Sequence, residues 1–231
     1  MEQKVNRTWT DYSERLKSAL GLKGSPVAVS YSNTPAMRAS TRHFRVCGAI
    51  LKARNGTVIN LSKESCACSG GTIYLGLEAP SDGDEEFLVY EEKLISSLAV
   101  ARRAITYMNQ KAPPPRGLAK YVVLSPLGKV ALQPDLVLFL CNAEQASRII
   151  ALAMFEDGIV ASSENGGSLC WNAITYPLIS GNINVSLGDI SARWAEKWEP
   201  DELIVSVPRH KLHQLVDSLN YSMAGAYPHT G

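Results

Sequence analysis

Trp9, Tyr12, Leu16 and Leu20 recur every three or four positions. That spacing puts them on one face of a helix over residues 8–20, and Gly21 stands where a left-handed residue would end it. Pro26 then opens the run Val27-Ala28-Val29-Ser30-Tyr31, whose β-branched residues read as a strand. Residues 47–54 read as a helix that stops at Asn55-Gly56, and residues 57–61 as a strand. The loop 62–71 that follows holds Cys66, Cys68, Gly70 and Gly71. Leu94, Leu98, Ala101 and Ile105, set among charged residues, predict a long half-exposed helix over 86–108.

Residues 111–117, with Pro113, Pro114 and Pro115, are the one linker-like stretch. Beyond it the pattern predicts strands at 121–124 and 136–140, a helix at 143–154 and an apolar helical stretch after Cys170. Strands at 183–187 and 203–207 and a helix at 210–219 complete the pattern. Helices alternating with strands make the class α/β, with mixed α+β as the alternative. Residues 220–231 carry no periodicity and read as a tail.

The pattern repeats weakly. On the first side of the prolines a strand leads to Cys47, a short helix, Asn55-Gly56, a strand and Cys66-Ala67-Cys68. On the second side a strand and helix lead to Cys170, a helical turn, Ser180-Gly181, a strand and Gly188-Asp189. We therefore expect one compact domain over 1–219, built from related halves at about 1–112 and 118–219, with one site drawn from both. A chain of 231 residues that is 45% apolar can bury the core such a unit needs.

Charge narrows the partners. Twenty-three Lys and Arg against 22 Asp and Glu leave a net +1, too little to hold a polyanion, so nucleic acid is not expected. Neither a signal peptide nor a membrane-spanning run is apparent, and a cytoplasmic protein is expected. Five cysteines in a reducing compartment stay free for metals or chemistry, and an odd number cannot close a disulfide framework.

Cys47, Cys66, Cys68 and Cys170 fall near helix starts or in glycine-bearing loops, where backbone amides can support thiolate charge. Those are surroundings an iron–sulfur cluster needs. Their spacing matches neither a ferredoxin nor a zinc knuckle, and buried cysteines also serve as small apolar fillers. Cys141, at the end of an apolar strand, reads as such a filler. His210 and His213 stand three apart on a helix face without a third ligand and read as solvated. His43 and Arg45 read as surface residues or as hydrogen-bond donors to a cluster. Gly70-Gly71 lacks the Lys-Ser/Thr of a phosphate-binding loop. Arg193 either holds an anionic substrate or pairs with Asp189.

Several motifs together carry a resemblance: Phe44-Arg45-Val46-Cys47, Cys68-Ser69-Gly70-Gly71 running into Tyr74-Leu75-Gly76, Cys170 before Tyr176-Pro177, Ser186-Leu187-Gly188 with Arg193, and Asp201-Glu202-Leu203 with Val207-Pro208. In this order, over nearly the whole chain, they resemble the prokaryotic domain-of-unknown-function 169 family. The resemblance implies a four-ligand site at Cys47, Cys68, Cys170 and the position of Asp189, where the family pattern has a thiol. Either Asp189 binds iron through oxygen, or three ligands leave an iron open, or Cys66 supplies the fourth. Cys66, Gly70, Gly188 and Arg193 are then expected to lie close around the ligands.

The expected function is a [4Fe–4S] protein, acting in electron transfer or in redox or Lewis-acid chemistry on a small molecule. Its partner would be a redox protein or that small molecule, and an oligomer is compatible with the sequence. A metal-free small-molecule binding module and a structural zinc protein are the alternatives. No nucleophile–base pair is assignable, so whether the protein is an enzyme stays open.

Overall fold

Strand β1 (Val27–Ser32) sets the plan of the molecule. Val27 and Val29 face one side of the sheet and Ala28 the other, as the two-residue period of a strand requires. The computed structural model describes residues 9–40, 42–80 and 83–225. Its other strands are β2 (Ile59–Leu61), β3 (Tyr121–Pro126), β4 (Leu136–Cys141), β5 (Asn184–Ser186) and β6 (Leu203–Pro208). They form one sheet in the order β2-β3-β1-β4-β6-β5, and every pairing is antiparallel. The class is therefore mixed α+β, the second of the two expectations. Alternation of helix and strand along the chain does not itself produce a parallel sheet.

Helices cover both faces. On one lie α1 (Trp9–Leu20), α6 (Ala143–Met154) and α9 (Arg209–Ser218), packed through Leu16, Ile149 and Leu215 on Phe139 and Val205. The other face carries α2 (Val46–Arg54), α3 (Ser69–Tyr74), α7 (Tyr176–Ser180) and α8 (Ile190–Glu196). There Ile50, Ala173 and Ala192 join Val29, Leu124 and Leu138 in a second core. The cysteines divide between these layers: Cys141 is buried in the first, while Cys47, Cys66, Cys68 and Cys170 belong to the second.

The sheet repeats itself register for register. Val27 pairs with Pro126 as Leu136 pairs with Pro208, and Ile59 pairs with Leu124 as Asn184 pairs with Ser206. At the centre Val27 pairs with Leu138 and Val29 with Leu136, which is what a two-fold relation exchanging β1 and β4 demands. Even the isolated bridges correspond, Ser40 to Ile59 and Ser162 to Asn184. One side reads β1, α2, β2, α3, β3; the other reads β4, α7, β5, α8, β6, with α6 inserted after β4.

The sides differ most between their last helix and last strand. Residues 197–202 join α8 to β6, whereas residues 75–120 separate α3 from β3 and contain α4 (Asp84–Glu86), a π turn (Phe87–Glu91) and α5 (Leu98–Lys111). The single helix expected over 86–108 is thus two pieces. Lys93 takes a left-handed φ of 53°, and the Ser97 hydroxyl accepts from Val100 N to start α5 afresh. The proline run does not hang free, for Ala112, Pro114 and Pro115 are buried and Trp171 Nε1 donates to the Ala112 carbonyl at 2.9 Å. Of the expected tail, residues 220–225 form turns held by Arg148 Nε on the Ala224 carbonyl; 226–231, like Thr8 of the first helix, lie outside the described residues.

Candidate functional site

Cys47 opens α2, Cys68 stands at the N-cap of α3, Cys170 precedes a π turn (Trp171–Thr175) that continues into α7, and Asp189 is the N-cap of α8. Under the relation that exchanges the two sides, Cys47 corresponds to Cys170 and Cys68 to Asp189. All four line one cleft of about 400 Å³. Its outer walls come from residues with no counterpart on the second side: Pro80, Phe87 and Leu88, then Ile105 and Asn109 of α5, with Pro114 and Arg116 beyond. Arg102 to Glu85 (2.7 Å) and Arg45 to Glu92 (3.4 Å) tie this cover together and to α2.

Cys68 and Asp189 are held by the same pair of amide positions. The Asp189 carboxylate accepts from Leu169 N (2.6 Å), the residue before Cys170, and from Ala192 N (2.6 Å), three residues on. The amides that favour a Cys68 thiolate are Val46, the residue before Cys47, and Gly71, three residues on. Ser191 Oγ also donates to Asp189, at 2.8 Å. Sulfur makes no tight cap of the kind the carboxylate makes. Asp189 therefore caps α8 with both oxygens engaged, and a ligand role must share them.

The thiols differ in charge state. The adjacent Cys66 thiol, then the Val46 and Gly71 amides and the Arg45 guanidinium, hold Cys68 below the ordinary thiol range against the opposing effect of burial, while Cys66 Sγ donates to the Cys68 carbonyl at 3.6 Å. The adjacent Cys68 thiol in turn raises Cys66, which keeps its proton. Burial first and the Glu196 carboxylate next push Cys47 up to about 12. Cys170 is raised by burial, then by Cys68, Cys47 and Asp189. All five cysteines are free thiols.

Gly71 and Gly70 serve different ends. A Cβ on Gly71 would lie 2.7 Å from Cys66 Sγ and 2.8 Å from Cys68 Sγ, so only glycine leaves room for both sulfurs. Its counterpart Ala192, beside a carboxylate, carries that methyl group and is buried. Gly70 lines the cleft, and a Cβ there would meet nothing within 4 Å. Gly188, expected to let backbone approach an inorganic group, instead adopts φ 74° in the turn before α8 and is not part of the cleft wall.

Arg193 neither pairs with Asp189 nor faces the cleft. Its guanidinium donates to the carbonyls of Leu187, Glu199, Pro200 and Glu202 at 2.7–2.9 Å, fastening both ends of α8. His213 Nδ1 lies 2.6 Å from the Tyr12 hydroxyl on the opposite face of the sheet, and His43 is exposed. Tyr74 and Arg45 are cleft residues that sequence left undecided or unassigned; Arg45 was legible only as a neighbour of Cys47.

Among the described residues no three His, Cys, Asp or Glu side chains are grouped to hold a single metal ion. No helix among the described residues is long and apolar enough to cross a membrane. A family model for domain of unknown function 169 (DUF169), described as an uncharacterised ArCR family, matches residues 15–218, and the chain belongs to that family. No curated protein matches the chain. No solved structure matches it either.

Proposed function

We propose that this DUF169 protein binds a [4Fe–4S] cluster through Cys47, Cys68 and Cys170, with Asp189 beside a fourth iron that carries no thiolate. The observation that carries the reading is the convergence on one cleft of three thiols and a carboxylate from both sides of the sheet, at positions equivalent under one two-fold relation. Burial keeps Cys47 and Cys170 protonated in the chain alone, so binding through their sulfurs means losing those protons, which cationic material among them favours. An iron–sulfur core is cationic material of that kind. A cubane also spaces its thiolates roughly 6 to 7 Å apart, wider than a single ion does.

When bound, the group supplies one-electron redox chemistry and, at an iron without thiolate, Lewis acidity. The chain does the rest. Val46 and Gly71 amides support the Cys68 sulfur, Gly71 leaves room for it, and Arg45 offsets negative charge. Asp189, already committed to three hydrogen bonds, is a weak and exchangeable fourth donor, which favours a small molecule reaching that position from the outer cleft. Ile105, Phe87 and Pro114 line the approach together with the acidic Asp84, Glu85, Glu86 and Glu92 and the cations Arg102 and Arg116. A cytoplasmic setting, with a redox protein as electron donor, suits such a group. The test is anaerobic reconstitution with iron and sulfide followed by electron paramagnetic resonance after reduction. The reading expects a cubane signal in the wild type that Cys47→Ser abolishes. No signal in a folded wild-type chain overturns it.

A second reading starts from Cys68, a cleft-wall thiol lowered below the ordinary range by the adjacent Cys66 thiol and the Val46 and Gly71 amides. In it the cleft is a metal-free module that binds a small electrophile at Cys68. Rapid, selective alkylation of Cys68 in chain that refuses iron would favour it.

A further inference from the structure

Cys66 supplies no bond in either reading of the cleft, yet the fold keeps its sulfur beside that of Cys68. Both sulfurs lie within 2.8 Å of one point, the place where a Cβ on residue 71 would stand. The backbone puts them there. Cys66 is bridged to Phe44 as a strand would be, with Phe44 N donating to the Ser65 carbonyl and Ala67 N to the Phe44 carbonyl, and Cys68 has extended dihedrals of φ −146° and ψ 137°. Side chains two residues apart on extended backbone point to one side.

The other side of the sheet shows that the scaffold does not ask for this pair. Two residues before Asp189 stands Leu187, which is exposed, and three after it stands Ala192. A second thiol, and the glycine that leaves room for it, occur only beside Cys68. Both thiols can be reached, since Cys68 lines the cleft and Cys66 is half-buried. Residues so spaced on a strand stand about 6.4–6.8 Å apart at Cα, the wide end of what a disulfide spans. Closing the bond therefore draws the segment in and leaves it readily reduced.

We infer that Cys66 and Cys68 close a reversible disulfide when a small hydroperoxide enters the cleft of metal-free chain, which withdraws Cys68 from the cleft and spares it irreversible oxidation. In the first step the Cys68 sulfur takes the outer peroxide oxygen. An S–O bond forms, the O–O bond breaks, and the alcohol, or water from hydrogen peroxide, leaves with the Cys68 proton. In the second the Cys66 sulfur displaces that oxygen, so that S–S forms, S–O breaks, and the oxygen leaves as water with the Cys66 proton. Two electrons pass from the sulfurs to the peroxide, and a dithiol returns them by exchange. Without Cys66 the Cys68 sulfenic acid meets further peroxide and becomes sulfinic acid. The inference goes beyond both readings of the cleft and depends on neither, because each needs a free Cys68 sulfur.

The test treats full-length chain with a chelator and a dithiol, removes both, adds hydrogen peroxide, and maps the cysteines by mass after non-reducing trypsin digestion. Trypsin leaves Cys66 and Cys68 together on the peptide 64–93, so a bond between them takes two hydrogens from one peptide, whereas a bond to Cys47 or Cys170 joins two peptides. Wild type is expected to show the first pattern, to lose two of its five free thiols, and to regain them with dithiol. Cys66→Ser is expected to gain oxygen at Cys68 that dithiol does not remove, and Cys66→Ala carries the same comparison should the serine variant not fold. Oxygen gained at Cys68 in wild type, a bond from Cys68 to Cys47 or Cys170, or a wild-type peptide that peroxide leaves unchanged overturns the inference. So does a Cys66 variant whose Cys68 recovers as fully as in wild type.

Discussion

Cys68 and Asp189 occupy one position twice. Each precedes a short helix, each is held by the amide before a buried cysteine and the amide three residues on, and each looks into the same cleft. One is a soft thiolate with a thiol neighbour; the other is a hard carboxylate that serves mainly as a cap. In the cluster reading proposed above, the repeated scaffold presents unlike donors to one bound group, firm ligation from one side and an exchangeable corner from the other. Their surroundings follow suit. Residue 71 is glycine where two sulfurs crowd it, and residue 192 is alanine where none does. Helix α3 faces residues of α4 and α5 across the cleft, while α8 leaves Ile190 and Trp194 exposed.

The comparison breaks most visibly at the donors. Cys68→Ser is expected to lose at least nine-tenths of bound iron, whereas Asp189→Ala keeps most of it and instead costs about 2 kcal/mol, from the lost cap and the stranded Leu169 amide. Iron analysis beside chemical denaturation reads both effects, and equal iron loss in the two variants would make Asp189 a full ligand.

Gly71→Ala comes next. A methyl group placed 2.7–2.8 Å from both sulfurs must displace them, so several-fold lower iron content is expected. The reciprocal Ala192→Gly should leave iron unchanged and cost about 1 kcal/mol as a helical glycine. A Gly71→Ala chain that loads like wild type would show that the sulfurs do not need this space.

Asp189→Cys sharpens the comparison by making the two sides alike. Iron content should stay as in wild type, the paramagnetic spectrum should change, and exchange of added small-molecule ligands should slow. A spectrum identical to wild type would place residue 189 away from the iron.

The smallest effect concerns pH in iron-free chain. The folded Cys68 thiol lies below its unfolded value of about 8.5. Its stabilisation is thus complete above 8.5 and is lost as pH falls through the lower folded value. Cys47 runs the other way, since its folded thiol is raised to about 12 and stability falls as pH climbs from 8.5 toward that value. Denaturation of wild type against Cys68→Ser and Cys47→Ser across this range should give difference curves of opposite slope. Parallel curves would contradict the assigned charge states.

Much of the scaffold was legible because it is local. The alternation in Val27-Ala28-Val29 and the helical spacing of Tyr12, Leu16 and Leu20 mark their elements directly. Sheet direction was not legible, since whether β1 and β3 run parallel depends on a crossover of some ninety residues rather than on either strand. The positions of the site residues were readable from motif order, and Asp189 showed both its cap chemistry and its unusual placement. The roles of Arg193 and Gly188 were not. A guanidinium gathering four carbonyls, or a glycine needed for φ 74°, depends on where the chain turns in space. Ser97 was the missed signal for the break before α5.

The central claim is that both sides of the sheet hold one cubane. Iron and acid-labile sulfide, measured per chain in anaerobically purified protein, test it most directly. The account predicts about four of each in wild type and in Cys66→Ser, and near zero in Cys47→Ser and Cys170→Ser, which remove one equivalent donor from each side. Stoichiometric cluster that survives Cys170→Ser, or a folded wild-type chain that holds no iron after reconstitution, would contradict it.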